Sequence, residues 1–359
     1  MTHQSACRSL ALILLACLAL SACAKATPTP TAPSGVANEE ISWPIGETTC
    51  YATVTGPTGA GPYPAVVFIP GSGPTDRNWN SPLLPGTNGS AKLLAQALAE
   101  AGYVTIRYDK RFTGQGSGDN LPKLIGNISL ESHRVEVAGA VDALLARPDV
   151  DPQRIYVLAN SEGCIHALVY QQQATDKRFA GLVLAAPPGQ SMIDLLRAQV
   201  NPQLTPLPGG AKYVELFNAA LDQFVATGSA QPDSSLPEGV RNLISSLTTP
   251  ANLPFTREIM PLDPAPLLAA VPEPVLVLIG QRDIQVNWEV DGKRLEEAAA
   301  GRDHVTFVYP PEANHILKHE ATPRAQLDPA KVQMGYNAES ATLDAEALQA
   351  ILDWLKARE

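Results

Sequence analysis

Ser161 is the residue with the clearest chemical signal in this sequence. It is the centre of the segment Ala-Asn-Ser-Glu-Gly at residues 159–163, between an apolar run at 154–158 and a helix-compatible stretch at 163–169. A serine on a sharp turn between a buried strand and a helix exposes its hydroxyl above the sheet edge, where it can attack a carbonyl carbon. A serine that merely caps the helix is the alternative, because Ala159 replaces the glycine usual at that position.

Asp283 and His315 are the candidates for the two partners that a nucleophilic serine needs. An imidazole must remove the hydroxyl proton, and a carboxylate must fix the tautomer of that imidazole. Asp283 directly follows a continuous apolar run, and His315 follows a second strand-like segment. Since these segments read as parallel strands, both side chains should reach the sheet edge that holds Ser161. His319, four residues beyond His315, is the rival for the base.

A glycine-rich turn at residues 70–74, Pro-Gly-Ser-Gly-Pro, follows a further buried-strand pattern. Acyl transfer needs N–H donors for the negative charge that develops on the carbonyl oxygen, and one donor is worth about 3 kcal/mol. We assign this oxyanion hole to the backbone N–H groups of Ser72 and Glu162. A tight turn with a purely structural role is the alternative for residues 70–74.

Four segments, residues 70–78, 107–114, 160–163 and 311–315, form one pattern together. This pattern resembles bacterial esterases of the α/β-hydrolase fold, which are often grouped with serine aminopeptidase-like and dienelactone hydrolase-like proteins. The likeness covers roughly residues 40–359. It implies an α/β class protein with the α/β-hydrolase fold: a mostly parallel central sheet covered by helices on both faces. The chain order serine, aspartate, histidine agrees with that family.

The sequence departs from the family pattern at three places. At the oxyanion strand, where family members usually have histidine-glycine, this chain has Pro70. Ala159-Asn160 replaces the glycine-histidine before the nucleophile, and Phe112 replaces the glycine after the lysine-arginine pair. None of these departures removes a member of the predicted triad, but Pro70 and Phe112 affect the loops around the pocket and therefore substrate preference. A set of charged residues is interpreted as a network bracing those loops: Asp76, Arg77, Asp109, Lys110 and Arg111.

The N-terminal segment predicts export and lipidation. Its apolar run is too short to span a bilayer, and Leu-Ser-Ala-Cys at residues 20–23 resembles a bacterial lipoprotein cleavage site. We therefore expect residues 1–22 to be a removed signal peptide and Cys23 to carry lipid. The alternatives are an uncleaved anchor or an ordinary secretory leader.

Two further regions complete the predicted organisation. Residues 23–38 are rich in threonine and proline and should form a semi-rigid tether, and residues 39–359 should form the α/β-hydrolase domain. The strand–helix alternation stops after residue 187, and helical patterns there predict a helical cap at about residues 188–262. The protein is thus expected to be extracytoplasmic, as a membrane-anchored lipoprotein of the bacterial cell envelope.

Composition restricts the partners of this 359-residue chain. Its formal net charge of −10 disfavours nucleic acid and anionic lipid surfaces, so membrane association would come from the lipid alone. We find no cysteine or histidine cluster with metal-ligand spacing and no nucleotide-binding motif, so neither a metal nor a cofactor is expected.

The sequence therefore predicts a serine hydrolase that cleaves carboxylic esters through an acyl-enzyme intermediate. An extracytoplasmic serine peptidase or aminopeptidase of the same fold uses the same machinery and is the first alternative. A catalytically inactive binding lipoprotein is the second, because of Pro70, Ala159 and Asn160.

Overall fold

The computed structural model of the chain describes residues 35–358, and within them the strands form one eight-stranded sheet. The predicted signal peptide and Cys23 lie outside the described residues. The sheet order is β1-β2-β4-β3-β5-β6-β7-β8. The strands are β1 Val36–Ile45, β2 Thr48–Pro57, β3 Tyr63–Ile69, β4 Val104–Tyr108, β5 Val150–Asn160, β6 Gly181–Ala185, β7 Val275–Leu278 and β8 Val305–Val308.

In this sheet order, every neighbouring pair from β4 to β8 is parallel. The pairs β1–β2 and β2–β4, at one edge of the sheet, are antiparallel. The carboxyl ends of β3, β5, β7 and β8 therefore lie along the same side of the sheet, where open α/β sheets bind ligands. This mostly parallel sheet agrees with the predicted α/β-hydrolase fold.

Helices cover both faces of the sheet, as predicted. They are α1 Ser90–Glu100, α2 Ser117–Leu124, α3 Leu130–Leu145, α4 Glu162–Gln173, α5 Met192–Leu204, α6 Gly210–Thr227, α7 Glu238–Leu247, α8 Leu253–Ile259, α9 Pro264–Ala269, α10 Lys293–Ala298, α11 Pro329–Gly335 and α12 Ala345–Lys356. Side chains alternate across a strand, so Val67 packs with α3 and α4 on one face while Phe68 packs with α1 and α12 on the other.

Strand β1 shows where the predicted domain boundary was wrong. It begins at Val36, so residues 36–38 belong to the sheet and not to the predicted tether at 23–38. The pairing runs from Val36 opposite Pro57 to Ile45 opposite Thr48. Most side chains of β1 are exposed or only half-buried. The strand is therefore held mainly by its backbone ladder with β2, which leaves little apolar pattern in the sequence.

The region predicted as a cap contains α5, α6, α7 and α8. Apolar side chains of these helices form a cluster of their own, in which Phe217 and Phe224 are fully or almost fully buried. Leu195 instead packs into the cluster on one face of the sheet. None of the helices within residues 35–358 is long and apolar enough to cross a membrane.

Candidate active site

Ser161 sits on the turn between β5 and α4 with φ of 54° and ψ of −126°. A positive φ is rare for a residue with a side chain, and such local strain often occurs at functional sites. The Ser161 N–H donates to the Ala185 carbonyl at 2.9 Å, which ties the turn to the neighbouring strand. A Cβ atom on Gly163 would lie 2.7 Å from the carbonyl oxygens of Ile69 and Pro70, so only glycine fits there.

The substituted position Ala159 is accommodated without distortion of this turn. Its side chain is fully buried within β5 and forms part of the apolar cluster with α3 and α4. Its backbone pairs with Ile69 on one side and with Leu184 on the other. The alanine in place of glycine is therefore compatible with the strand–turn–helix geometry that presents Ser161.

Asp283 and His315 are joined by a hydrogen bond of 2.8 Å between His315 Nδ1 and Asp283 Oδ2. Asp283 is fully buried, and its other oxygen, Oδ1, accepts the backbone N–H groups of Gln285 at 2.7 Å and Val286 at 2.9 Å. Both carboxylate oxygens are thus engaged, and the carboxylate cannot rotate freely. Since Nδ1 is occupied, Nε2 is the ring nitrogen of His315 that remains for proton transfer.

His315 is held in place by two asparagines on its flanks. The Asn160 side-chain amide donates to the His315 carbonyl at 3.1 Å. Asn314 Oδ1 accepts the backbone N–H groups of Ile316 at 3.1 Å and Lys318 at 3.0 Å, which closes the loop that presents the histidine. Asn160, which replaces a histidine of the family pattern, therefore connects the serine turn directly to the histidine loop.

The rival His319 does not take part in this arrangement. Its side chain is 46% exposed, and its Nδ1 lies 3.6 Å from Glu312 and 3.7 Å from Asp344. It lines a different cavity, near the surface, together with Asn314 and Glu320. The geometry therefore favours His315 over His319 as the base.

Ser161 and His315 line one cavity of about 210 Å³, together with Gly71 and Ser72 of the glycine-rich loop. Within the described residues, no hydrogen bond joins Ser161 Oγ to His315. Gly71 lies against the nucleophile, because a Cβ added to it would be 3.3 Å from Ser161 Cβ. The structure thus brings the predicted serine, histidine and glycine-rich loop to one cavity, with Asp283 behind the histidine.

Lys110 holds the glycine-rich loop from its inner side. Its ammonium donates to the carbonyls of Gly71 at 2.7 Å and Gly73 at 2.6 Å, and its side chain is 2% exposed. The Gly71 carbonyl and the Ser72 N–H belong to one planar trans peptide and point in opposite directions. The Ser72 N–H therefore points away from the Lys110 ammonium, and Ser72 lines the cavity in which the predicted oxyanion donor is needed.

Glu162, the first residue of α4, carries the second predicted donor. No described residue accepts a hydrogen bond from the backbone N–H of Ser72 or Glu162. Ser72 lines the cavity, and Glu162 directly follows Ser161 in the chain. Burial raises the pKa of the Glu162 carboxyl, but the bond with His166 and the charge of Lys110 contribute to outweighing burial, and this pKa lies below its ordinary value.

A buried row of titratable side chains extends from Glu162 through the two helices behind it. His166 Nε2 lies 3.4 Å from Glu162 Oε1, and its ring stacks on His133 with centroids 4.1 Å apart. His133 lies 3.6 Å from Glu136, which accepts Arg111 Nε at 2.9 Å. Burial first and His133 second lower the pKa of His166 to about 4. His166 is therefore neutral near pH 7.

Sequence analysis did not single out His133 or His166. The spacing contains a usable signal, because Glu162 and His166 are four apart on α4, and His133 and Glu136 are three apart on α3. Residues at these spacings face the same side of a helix. What the sequence does not contain is the contact between the two helices that stacks the rings.

The predicted charged network around the loops is present. Arg77 donates to Asp109 with Nε at 3.0 Å and Nη2 at 2.7 Å, and both side chains are buried. Asp76 accepts the N–H groups of Asn78 at 2.8 Å and Asn80 at 2.9 Å. These contacts fix the segment that follows the glycine-rich loop, which agrees with the predicted bracing role.

The cavity is lined by residues that sequence analysis did not single out. Gln333 of α11, Tyr336 and Asn337 contribute to it, as do Leu83 and Leu84. By contrast, Leu216, Phe217 and Phe224 of the predicted cap are not among its lining residues. A short helix that is distant along the chain from Ser161 therefore forms part of the cavity wall.

Comparisons with known proteins agree with this architecture. A family model described as "Alpha/beta hydrolase family" matches residues 66–328. Esterase EstD of Thermotoga maritima is 28% identical over 265 residues, which cover 74% of this chain and 57% of EstD. The chain thus spans little more than half the length of that relative.

Solved structures show the same fold at low identity. A protein assigned as a dienelactone hydrolase from Klebsiella pneumoniae is 16% identical with a TM-score of 0.51, over 90% of this chain and 99% of that one. An esterase of Pyrococcus furiosus is 16% identical with a TM-score of 0.50, over 89% and 91% of the two chains. With the family match extending across most of the chain, this protein belongs to the Alpha/beta hydrolase family.

Proposed function

We propose that this protein hydrolyses carboxylic esters through an acyl-enzyme intermediate. Ser161 Oγ attacks the ester carbonyl while His315 Nε2 takes its proton, and Asp283 stabilises the imidazolium that forms. The N–H groups of Ser72 and Glu162 donate to the oxyanion of the tetrahedral intermediate. His315 then gives the proton to the leaving alcohol oxygen, and the C–O bond breaks.

The second half of the proposed cycle repeats these roles with water. His315 removes a proton from water, and the hydroxide equivalent attacks the acyl carbon bound to Ser161. Collapse of the second tetrahedral intermediate releases the carboxylic acid and returns the proton to the Ser161 oxygen. One ester and one water thus yield one acid and one alcohol, with no cofactor in the balance.

The observation that carries this proposal is the 2.8 Å bond between Asp283 and His315 beside a serine on a strained strand–helix turn. A buried aspartate that orients a histidine at the same cavity as such a serine has the roles of an acyl-transfer site. The relation to esterase EstD favours esters over amides as substrates.

Ser161→Ala tests the proposal, with Ser81→Ala as the matched control. Ser81 lines the same cavity but lies outside the predicted triad. We expect Ser161→Ala to remove p-nitrophenyl acetate hydrolysis and covalent labelling by a fluorophosphonate, and Ser81→Ala to retain both. Ester hydrolysis that persists in Ser161→Ala would disprove the proposed nucleophile. Strong cleavage of an aminoacyl anilide with negligible ester cleavage would show that the protein acts as a peptidase and would contradict the proposed esterase function.

We also propose that the mature protein is an extracytoplasmic lipoprotein anchored through Cys23. This rests on the cleavage-site pattern at residues 20–23 and the apolar run before it. The mass of the N-terminal peptide from membranes of expressing cells tests it. A diacylated peptide beginning at Cys23 is expected, and an unmodified peptide from an intact leader would contradict the proposal.

A further inference from the structure

A second cavity, of about 490 Å³, adjoins the cavity at Ser161. Gln285 and Gln333 line both cavities, so the two are neighbours that share part of a wall. The second cavity lies between α5, the segment after Asp283 and residues 324–333. We call it the distal groove, and it is defined by these lining residues in particular: Leu195, Gln199, Gln285, Asn287, Arg324 and Gln333.

Arg324 is the cation of the distal groove. Its Nε donates to the backbone carbonyl of Asp283 at 2.7 Å, and the side chain is only half-buried. Across residues 35–358 Arg324 forms no ion pair, and its Nη1 and Nη2 atoms donate to no other residue. The guanidinium is therefore anchored at one nitrogen, while the other two keep the planar fork that binds a carboxylate in bidentate geometry.

The acidic residue of the groove lining, Asp291, does not form an ion pair with this cation. It is buried, and its Oδ1 accepts the Gly189 N–H at 2.9 Å while Oδ2 accepts the Asn287 N–H at 2.9 Å. Its carboxylate is thus satisfied by neutral donors. The other polar side chains of the lining are amides, which carry no charge. Arg324 consequently faces the groove without an ion-pair partner among the described residues.

The position of Arg324 relative to His315 indicates which half of a substrate would reach it. In the proposed reaction His315 delivers a proton to the leaving oxygen, so the alcohol must leave on the histidine side of Ser161. Arg324 is bonded to Asp283, which is bonded to His315. The distal groove is therefore the cavity next to the Asp283–His315 pair, which delivers the proton to the leaving alcohol in the proposed reaction.

We propose that the distal groove binds the alcohol half of esters whose alcohol carries a carboxylate, with Arg324 as the residue that determines this specificity. The proposal rests on the ester hydrolysis proposed above. A carboxylate carries one negative charge, which one guanidinium neutralises, whereas a phosphate carries nearly two. Amides such as Gln285 and Asn287 can bind the polar groups between the ester and the carboxylate.

A matched pair of substrate series tests this proposal. One series consists of acetate esters of 4-hydroxyphenyl alkanoic acids of increasing chain length, and the other consists of the corresponding primary amides. Acetate release gives kcat/KM for each member. At the best chain length we expect kcat/KM for the carboxylate to exceed kcat/KM for the amide by about tenfold. This factor corresponds to the free energy of one charge-assisted hydrogen bond. The preference should decrease as salt screens the charge.

Arg324→Gln should bring the carboxylate-to-amide ratio close to one, and Arg324→Lys should retain part of it. Arg302→Gln is the matched control, because Arg302 is exposed and is unpaired within the described chain. It precedes β8 and so lies at the amino ends of the parallel strands, opposite the carboxyl ends that carry the site. It removes the same charge and should leave the ratio at the parent value.

Ser161→Ala separates failure of this proposal from failure of the proposed function. If acetate release persists in Ser161→Ala, the ester hydrolysis mechanism is wrong. If Ser161→Ala is inactive but the parent protein shows a ratio near one at every chain length, the carboxylate site is wrong. An equal loss on both series in Arg324→Gln would also overturn it, since Arg324 would then act only through Asp283.

Discussion

Lys110→Met removes the cation that orients the glycine-rich loop. In the parent, two charge-assisted bonds at 2.7 and 2.6 Å hold the carbonyls of Gly71 and Gly73. Methionine has a similar length but no donor, so the Gly71 peptide can rotate and the Ser72 N–H is no longer directed at the cavity. Loss of one oxyanion donor costs about 3 kcal/mol of transition-state stabilisation, which corresponds to about a hundredfold in rate.

This loss should appear in kcat and leave KM nearly constant, because an oxyanion donor acts on charge that develops only in the transition state. The variant should also be less stable by about 2 kcal/mol, since the buried Gly71 carbonyl loses its partner. Steady-state kinetics with p-nitrophenyl acetate and urea unfolding monitored by circular dichroism measure the two effects separately.

Arg111→Met is the control that separates orientation from stability. Arg111 is also a buried cation, but it pairs with Glu136 and does not contact the glycine-rich loop. It should lose comparable stability and keep the parent kcat under conditions in which both variants are folded. A folded Lys110→Met with unchanged kcat would refute the orienting role. An equal kcat loss in Arg111→Met would attribute the effect to general loosening of the fold.

Two further changes examine the supports of the histidine and of the elbow helix. Asn160→Ala removes the bond to the His315 carbonyl. It should lower the unfolding free energy by about 1 kcal/mol and kcat/KM by up to about tenfold, measured by the same urea unfolding and kinetics. Equal values in variant and parent would contradict this prediction. Burial and the nearby His133 lower the pKa of His166 from 6.5 to about 4. Between pH 6.5 and pH 4 the unfolded chain therefore binds more protons than the folded protein. The unfolding free energy of the parent should fall by up to about 3 kcal/mol as the pH decreases through this range. Urea unfolding should show a shallower decline in His166→Gln and a parent-like decline in His319→Gln, and a parallel decline in all three proteins would exclude His166.

The strands that carry the candidate site were predictable because runs of apolar residues in the local sequence indicate that these strands are buried. β3, β7 and residues 155–159 of β5 are apolar at nearly every position, as expected for strands covered on both faces. The residues at their carboxyl ends then meet by topology alone. Strand β1 lacked this signal, since its residues are mostly exposed and only its ladder with β2 defines it.

The contacts that orient the site were not predictable, since each joins loops far apart in the chain. Lys110 was expected in a bracing network, but nothing local indicates that its ammonium reaches Gly71 and Gly73. Asn160 was interpreted as a departure from the family pattern, although it bonds to the carbonyl of His315, 155 residues away. Such pairings depend on how the loops pack, which a single sequence does not encode locally.

Lys110 also connects the two donors of the proposed oxyanion hole. It binds the peptide that carries the Ser72 N–H, and its charge contributes to the lowered pKa of Glu162, whose own N–H is the second donor. A buried ammonium is costly unless acceptors and a counter-charge surround it, and here the loop carbonyls and Glu162 supply both. The same cation that the fold must satisfy therefore fixes the catalytic loop. This link explains why Lys110 should affect turnover while Arg111, equally buried beside it, should affect stability alone.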